Sequence, residues 1–251
     1  MDDYNSALKL RSEGLGNKRI ARILKIHPST VQNWISGRVP VPYLFCKRIR
    51  RLKPEMRELS PVLAYILGVM AGDGTTDRGS IRLWTIDEDF ALKFKVSLED
   101  WSGYTCKVSK DERTQPNYRQ GFCWVVKLYS KESRNFLKNF DTSVILYGSE
   151  DIKVNFLKGF YDSEGWFCKR NRVVRCCNKD PLKIKLVKRL LTELDIKIGK
   201  IVQRKDGVQY IPIYKKNVLR FFEKVGFRIT RKQNLLEAYV ESIKQKGEHF
   251  D

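Results

Sequence analysis

Histidine is almost missing from this chain of 251 residues: His27 and His249 are the two it has. So small a supply gives little support to histidine-based acid–base chemistry and cannot complete a zinc finger. The six cysteines, Cys46, Cys106, Cys123, Cys168, Cys176 and Cys177, show no C-x-x-C spacing. They are expected to be reduced, mostly buried thiols of a cytoplasmic protein, nucleoid-associated if the source is prokaryotic. No apolar run reaches the roughly 18–20 residues that span a bilayer, and the opening Met1-Asp2-Asp3 is not the basic start of a signal peptide. Walker loops, H-E-x-x-H and G-x-S-x-G are also absent, so no familiar nucleophile or nucleotide-binding constellation competes for the assignment.

Acidic residues are in deficit, 29 against 49 Lys+Arg, for a formal charge of +20. Hydrophobic residues at 42% and aromatics at 12% are too many for a disordered polycation. The length accommodates one large domain or two modest ones. A folded chain of this charge points to a polyanionic partner, nucleic acid first. A lysine-rich surface can also serve stability at high temperature, but that should raise both signs together. Instead residues 1–58 carry 13 basic and 5 acidic residues, residues 59–148 carry 12 and 11, and residues 149–251 carry 24 and 13. Two segments are one-sidedly basic.

The N-terminal segment has helical periodicity with one break. Ile20, Ile23 and Leu24 form one apolar face, Val31, Trp34 and Ile35 the next, and Ile26-His27-Pro28 turns the chain between them. With a leading helix near Asn5–Glu13, this resembles a helix-turn-helix. Its second helix would present Ser29, Gln32, Asn33 and Ser36, and the two amides can pair with adenine in the major groove. A small helical docking module is the competing reading. Val39-Pro40-Val41-Pro42 then forms a stiff linker before a basic arm containing Arg48 and Arg51, suited to the DNA backbone.

A repeat carries the most specific signal. Ala64–Gly74 and Asn155–Gly165 coincide at a separation of 91: aromatic Tyr65 and Phe156, glycines Gly68 and Gly159, small residues Gly72 and Ser163, acids Asp73 and Glu164, glycines Gly74 and Gly165. Small residues four apart on each helix let two backbones approach closely. Such packing carries Asp73 and Glu164 to one place, where two carboxylates need a cation between them, and oxygen ligands suit magnesium. Past the acids, Asp89 and Asp180 are candidate caps for the next helix, and Leu92-Lys93-Phe94-Lys95 echoes Leu182-Lys183-Ile184-Lys185 at a separation of 90. Alternating runs at 80–85, 104–110 and 122–129 in the first copy match 172–177, 198–205 and 209–215 in the second.

These residues resemble the paired motifs of LAGLIDADG homing endonucleases in their single-chain, two-motif form, over about residues 59–251. The resemblance implies an α+β fold of two pseudo-symmetric αββαββα halves with saddle-shaped antiparallel sheets, joined to an all-α N-terminal helix-turn-helix domain. The expected organisation is residues 1–38 as the helix-turn-helix domain, 39–58 as linker and arm, and 59–148 and 149–251 as the two repeats. Carried over by position, Asp73 and Glu164 are the catalytic, metal-binding acids, with the carbonyls of Gly72 and Ser163 as further ligands to Mg2+ or Mn2+. Ala71 and Asp162 occupy a motif position that is not a metal ligand in the family. The implied activity is site-specific double-strand DNA cleavage, of the kind that moves introns or inteins. The alternatives are a DNA-binding regulator that does not cut and an RNA maturase.

Strand alternation nominates the reading surface. In the first copy Arg82, Trp84, Lys107, Ser109 and Lys127 face outward, with Cys123 and Val125 beside them, and Lys131 follows. In the second, Arg172, Arg175, Lys200, Arg204, Lys205 and Lys215 are the expected contacts. Lys107, Lys127, Lys131 and Lys215 are candidates to assist at the phosphates. The unequal charge of the halves predicts a long asymmetric double-stranded DNA site, gripped harder by the C-terminal half of a monomer. Intron RNA is the alternative partner, and no membrane is expected.

Overall fold

The computed structural model describes residues 2–38, 52–77, 79–112, 121–214 and 216–245. The chain divides into two compact units, within residues 1–49 and 50–251. The proline-rich linker and the arm with Arg48 and Arg51 lie outside the described residues, as does Lys215.

The small unit has three helices: α1 (Asp2–Ser12), α2 (Asn17–Leu24) and α3 (Pro28–Ile35). Ala7, Ile20, Ala21 and Val31 are its buried centre, with Trp34 packed against it. Ile23, expected on the apolar face, is 52% exposed, because α2 turns Ala21 inward instead. Pro28 opens α3 at a position where the missing amide costs nothing. The cap is the His27 ring, which accepts the Ser29 amide at Nδ1.

The large unit begins with a short 3-10 turn, Pro54–Arg57. Leu52 is buried in the main core and the Trp101 indole donates to the Met56 carbonyl at 2.7 Å, so residues 52–57 belong to this unit rather than to a linker. The first repeat runs α4 (Pro61–Ala71), β1 (Gly74–Asp77), β2 (Ser80–Thr85), α5 (Glu88–Ser102), β3 (Lys107–Asp111), β4 (Cys123–Tyr129) and α6 (Lys131–Lys138). A 3-10 turn, Thr142–Tyr147, leads to the second: α7 (Glu150–Glu164), β5 (Gly165–Cys168), β6 (Val173–Asn178), α8 (Pro181–Glu193), β7 (Val202–Gln203), β8 (Gln209–Tyr214) and α9 (Lys216–Lys224). A further helix, α10 (Thr230–Gln245), has no counterpart in the first repeat.

Each sheet is fully antiparallel, in the orders β1-β2-β4-β3 and β5-β6-β8-β7. Ile81, Leu83, Val126 and Leu128 of one, and Val174, Cys176, Ile211 and Ile213 of the other, turn inward on the helices, leaving one face of each sheet outward. Cys123 and Val125, expected outward, are buried, and Val125 sits between Trp84 and Ser109 in register. The expected strand 198–205 shrinks to two residues, because Pro212 on β8 has no amide to continue the ladder beyond Val202.

Local chemistry explains the helix starts. Ser60, Ser149 and Asp180 accept the amides of Leu63, Ile152 and Leu182. For α5 the cap is Asp87, not Asp89. Asp89 instead accepts the Lys93 ammonium at 2.7 Å and the Thr230 amide at 2.7 Å, tying the segment before α10 to the first repeat.

Candidate functional site

The helices α4 and α7 pack backbone to backbone, and glycine makes that possible. A Cβ on Gly68 would fall on the Phe156 carbonyl oxygen, and one on Gly159 on the Tyr65 carbonyl oxygen, a reciprocal pair. One turn on, a Cβ at Gly72 would strike Ser163 and come within 3.0 Å of Glu164 Cγ. The strands leave just after: Gly74 lies over Met70 and Gly165 over Tyr161, too close for a side chain. The acid–glycine ending of each motif is therefore a helix-to-strand exit with the acid at the seam.

The two acids lie close enough for each to feel the other's charge but differ in setting. α4 stops at Ala71, so Asp73 lies beyond its helix and keeps solvent exposure, while Glu164 is the last residue of α7 and is half-buried. Asn178 donates to Glu164 Oε1 at 2.7 Å. The register counterpart of Asn178 is Thr85, and each accepts the amide two residues on, Asn178 Oδ1 that of Asp180 and the Thr85 hydroxyl that of Asp87. Burial and then the charge of Asp73 push the Glu164 carboxyl up to about 6. Burial also raises Asp73, against the pull of Lys232.

The shift on Glu164 has a measurable sign. Its folded value lies above the ordinary 4.5, so the folded protein holds more protons between about 4.5 and 6. Its contribution to stability is therefore lost as pH rises through that interval, by roughly 1–2 kcal/mol. Without divalent cation, the unfolding free energy of the wild type relative to Glu164→Gln should fall by this amount from pH 4.5 to 6.5 in urea melts. A pH-independent difference would contradict the crowding of Glu164 by Asp73.

Two lysines that the repeat pattern did not nominate hold the ends of the paired helices. Lys183, on α8, donates to the Ala71 carbonyl at 2.6 Å. Lys232, on α10, donates to the carbonyls of Asp162 at 2.6 Å, Gly165 at 2.7 Å and Tyr161 at 3.3 Å. An ammonium there satisfies carbonyls that a helix end leaves open and meets the negative end of its dipole. Burial lowers the Lys232 pKa. Lys183 stood in the lysine echo between the copies, a signal that could have found it; Lys232 sits on the helix without a counterpart, where the repeat is silent.

Asp162 has a structural role. Its buried carboxylate accepts the Tyr65 hydroxyl at 2.8 Å and the amides of Arg228 at 3.0 Å and Ile229 at 3.2 Å. Those bonds fasten the chain leading to α10, and with it Lys232, against the helix pair. Ala71 has no such segment to hold. Tyr65→Phe should destabilise the large unit by about 1–3 kcal/mol, read by urea unfolding, since it orphans one buried oxygen; an unchanged midpoint would show that the bond carries no load.

The other nominated residues are spread over the outer surfaces. Ser29, Gln32, Asn33 and Ser36 are all exposed on α3. Arg82, Lys107 and Lys127 share one register row, with Ser109 on the neighbouring one. Lys107 is exposed, but Arg82 already pairs with Asp77 at 3.0 Å and lies over the Trp84 ring at 5.7 Å. Lys131 is exposed in the first turn of α6. In the second repeat Arg175 is the charged residue on the outward row of its strands, with Arg172 in the β5–β6 turn and Lys200, Arg204 and Lys205 beside β7. Lys185, Lys188 and Arg189 are exposed on α8 instead. The basic residues of this half are thus spread over the strand face, the β5–β6 turn, the surroundings of β7 and α8.

No group of three or more His, Cys, Asp and Glu side chains that could hold a metal occurs among the described residues. Two crowded carboxylates with backbone carbonyls nearby remain, an all-oxygen donor set that fits a cation completed by substrate and water. Among the described residues no helix is long and apolar enough to cross a membrane.

Comparisons place this geometry. Residues 151–226 match the LAGLIDADG-like domain and residues 6–37 a homeodomain-like domain. The uncharacterized protein MJ0398 of Methanocaldococcus jannaschii is 30% identical over 247 residues, covering 89% of this chain and 85% of that one. Among solved structures, the homing endonuclease I-DmoI in complex with DNA and Ca superposes with a TM-score of 0.56 at 18% identity, over 72% of this chain and 98% of that one. Full-length DUF199/WhiA from Thermatoga maritima gives a TM-score of 0.56 at 14% identity, over 81% and 65%. The likeness to both is one of fold. With its paired motif helices and two four-stranded sheets, the chain has the LAGLIDADG fold and carries a LAGLIDADG-like domain at residues 151–226 and a homeodomain-like helical unit at residues 6–37.

Proposed function

We propose that the protein is a site-specific double-strand DNA endonuclease. The observation that carries this reading is the seating of Asp73 and Glu164 at one seam, by helices whose glycines admit no side chain. Asp73 and Glu164, with the carbonyls of Gly72 and Ser163, would hold Mg2+ or Mn2+. Such a cation, when bound, neutralises charge at a phosphate and favours a hydroxide nucleophile near neutral pH. The chain's own residues do the positioning. Asn178 fixes one Glu164 oxygen, while Lys183 and Lys232 hold the helix ends and place positive charge beside the acids. The outward sheet faces bind the duplex, and α3 extends contact along it through Gln32 and Asn33. Arg48, Arg51 and Lys215 are proposed DNA contacts from the sequence alone.

A plasmid carrying the DNA that flanks this gene, joined without the interrupting element, is expected to be linearised with Mg2+ and bound uncut with Ca2+. Binding without cutting under both ions would favour the regulator reading. Affinity should also fall by roughly 10³–10⁵ between about 50 and 200 mM salt if six to ten phosphates are neutralised. A nearly flat response in a filter-binding series would remove the electrostatic basis of the proposal.

A further inference from the structure

The two outward sheet faces are matched in register and unlike in chemistry. Counted from the glycine that opens each sheet, one row reads Thr75, Arg82, Lys127 in the first and Trp166, Arg175, Pro212 in the second. The next row pairs Trp84 with Val125 in the first, and Cys177 with Tyr210 in the second, with Val202 alongside. Thr75 and Lys127 are replaced by Trp166 and Pro212 around a retained arginine, Val125 by Tyr210, and the surface there is hollow. A recess of about 430 Å³ opens between Trp166, Arg175, Arg204, Tyr210, Pro212 and Tyr214.

Its walls have a definite form. The Trp166 and Tyr210 rings meet at 90° with centroids 6.0 Å apart, making a corner. Arg204 donates to the Tyr210 hydroxyl at 2.9 Å, so a guanidinium stands at the rim. The edge of a stacked base pair offers donors, acceptors and one methyl group, which a flat polar strand face reads well. A hollow in the size range of small-molecule sites, walled by aromatic faces, suits a whole planar base. Aromatic stacking with arginine near the backbone is how unpaired bases are held.

We propose that this recess binds one nucleobase unstacked from the DNA on the second sheet, against Trp166 and Tyr210 with arginine at its rim. The inference rests on the DNA-binding reading above. Its test uses the full chain with Ca2+ and two labelled duplexes of about thirty base pairs, one fully paired and one with a single extrahelical 2-aminopurine. The bulged duplex should bind more tightly, on the order of tenfold, and its 2-aminopurine emission should fall on binding. Trp166→Ala should abolish both effects, bringing the ratio of bulged to paired affinity to about one whatever it does to the paired duplex. Tyr214→Ser, at a wall residue 44% exposed, should weaken the preference without threatening the fold. Equal, salt-sensitive affinity for both duplexes, unchanged by either substitution, would overturn the base pocket while leaving DNA binding intact. Binding of neither duplex would overturn the DNA reading itself, and tighter binding of a bulged RNA hairpin would overturn the choice of DNA.

Discussion

Asp73→Asn is expected to lower the single-turnover cleavage rate by a factor on the order of 10³ or more, with DNA bound in Ca2+ as well as before. The size follows from removing one of two carboxylates beside the reacting phosphates: a loss of roughly 4 kcal/mol of transition-state stabilisation is about a thousandfold in rate. Binding should survive because, in the proposed complex, the outward sheet faces make most of the contact to DNA and the cation that Asp73 would hold makes little of it. Glu164→Gln should behave alike for cleavage and lose its proton linkage near pH 6 as well. The separation of cutting from binding is what distinguishes this account from a fold defect, which would lower both. Full cleavage by both variants would take the acids out of the mechanism.

The second large effect is structural. Gly159→Ala adds one methyl group, yet that carbon would overlap the Tyr65 carbonyl and lie 2.9 Å from the Val69 amide nitrogen. These are backbone atoms of the partner helix and cannot rotate away. Ordinary overpacking costs about 1–3 kcal/mol, and here the helices must separate along their whole contact, so about 3–5 kcal/mol is expected. For a unit of this size each kcal/mol moves Tm by roughly 2–4 °C, giving a drop of about 10 °C or more in a calorimetric scan. Gly68→Ala, which meets the Phe156 carbonyl, should match it, whereas Gly79→Ala, where a Cβ finds open space and the strain is that of a positive φ, should cost far less. Equal, small shifts for all three would mean that α4 and α7 do not pack as described.

The contrast between those glycines indicates what the sequence could disclose. Gly68 and Gly159 recur at a fixed separation with an aromatic residue before and an acid after, so the helix pair and the seam of Asp73 and Glu164 were legible from spacing alone. Strand faces were legible where alternation was clean, as at Ile81 and Leu83 or Lys107. They were not where a residue on the outward row is buried, as Val125 is beside Trp84, or where Pro212 cuts a ladder short on the other strand. Lys232 escaped notice for a different reason. Its place at the Asp162 carbonyl depends on hydrogen bonds that the Arg228 and Ile229 amides donate to the Asp162 carboxylate, across 66 and 67 residues of sequence, and no local period encodes such a contact. A charge count shows the excess of the second half without placing it, because it does not tell the outer face of α8 from the outer face of the strands.

The central claim is that the carboxylates of Asp73 and Glu164 form one oxygen site at the end of the helix pair. It is tested most directly by an anomalous difference map from crystals of the protein–DNA complex grown with Mn2+. The account predicts a peak bounded by Asp73, Glu164 and the backbone at Gly72 and Ser163. Manganese bound elsewhere, or the two carboxylates turned into separate hollows with none between them, would contradict it.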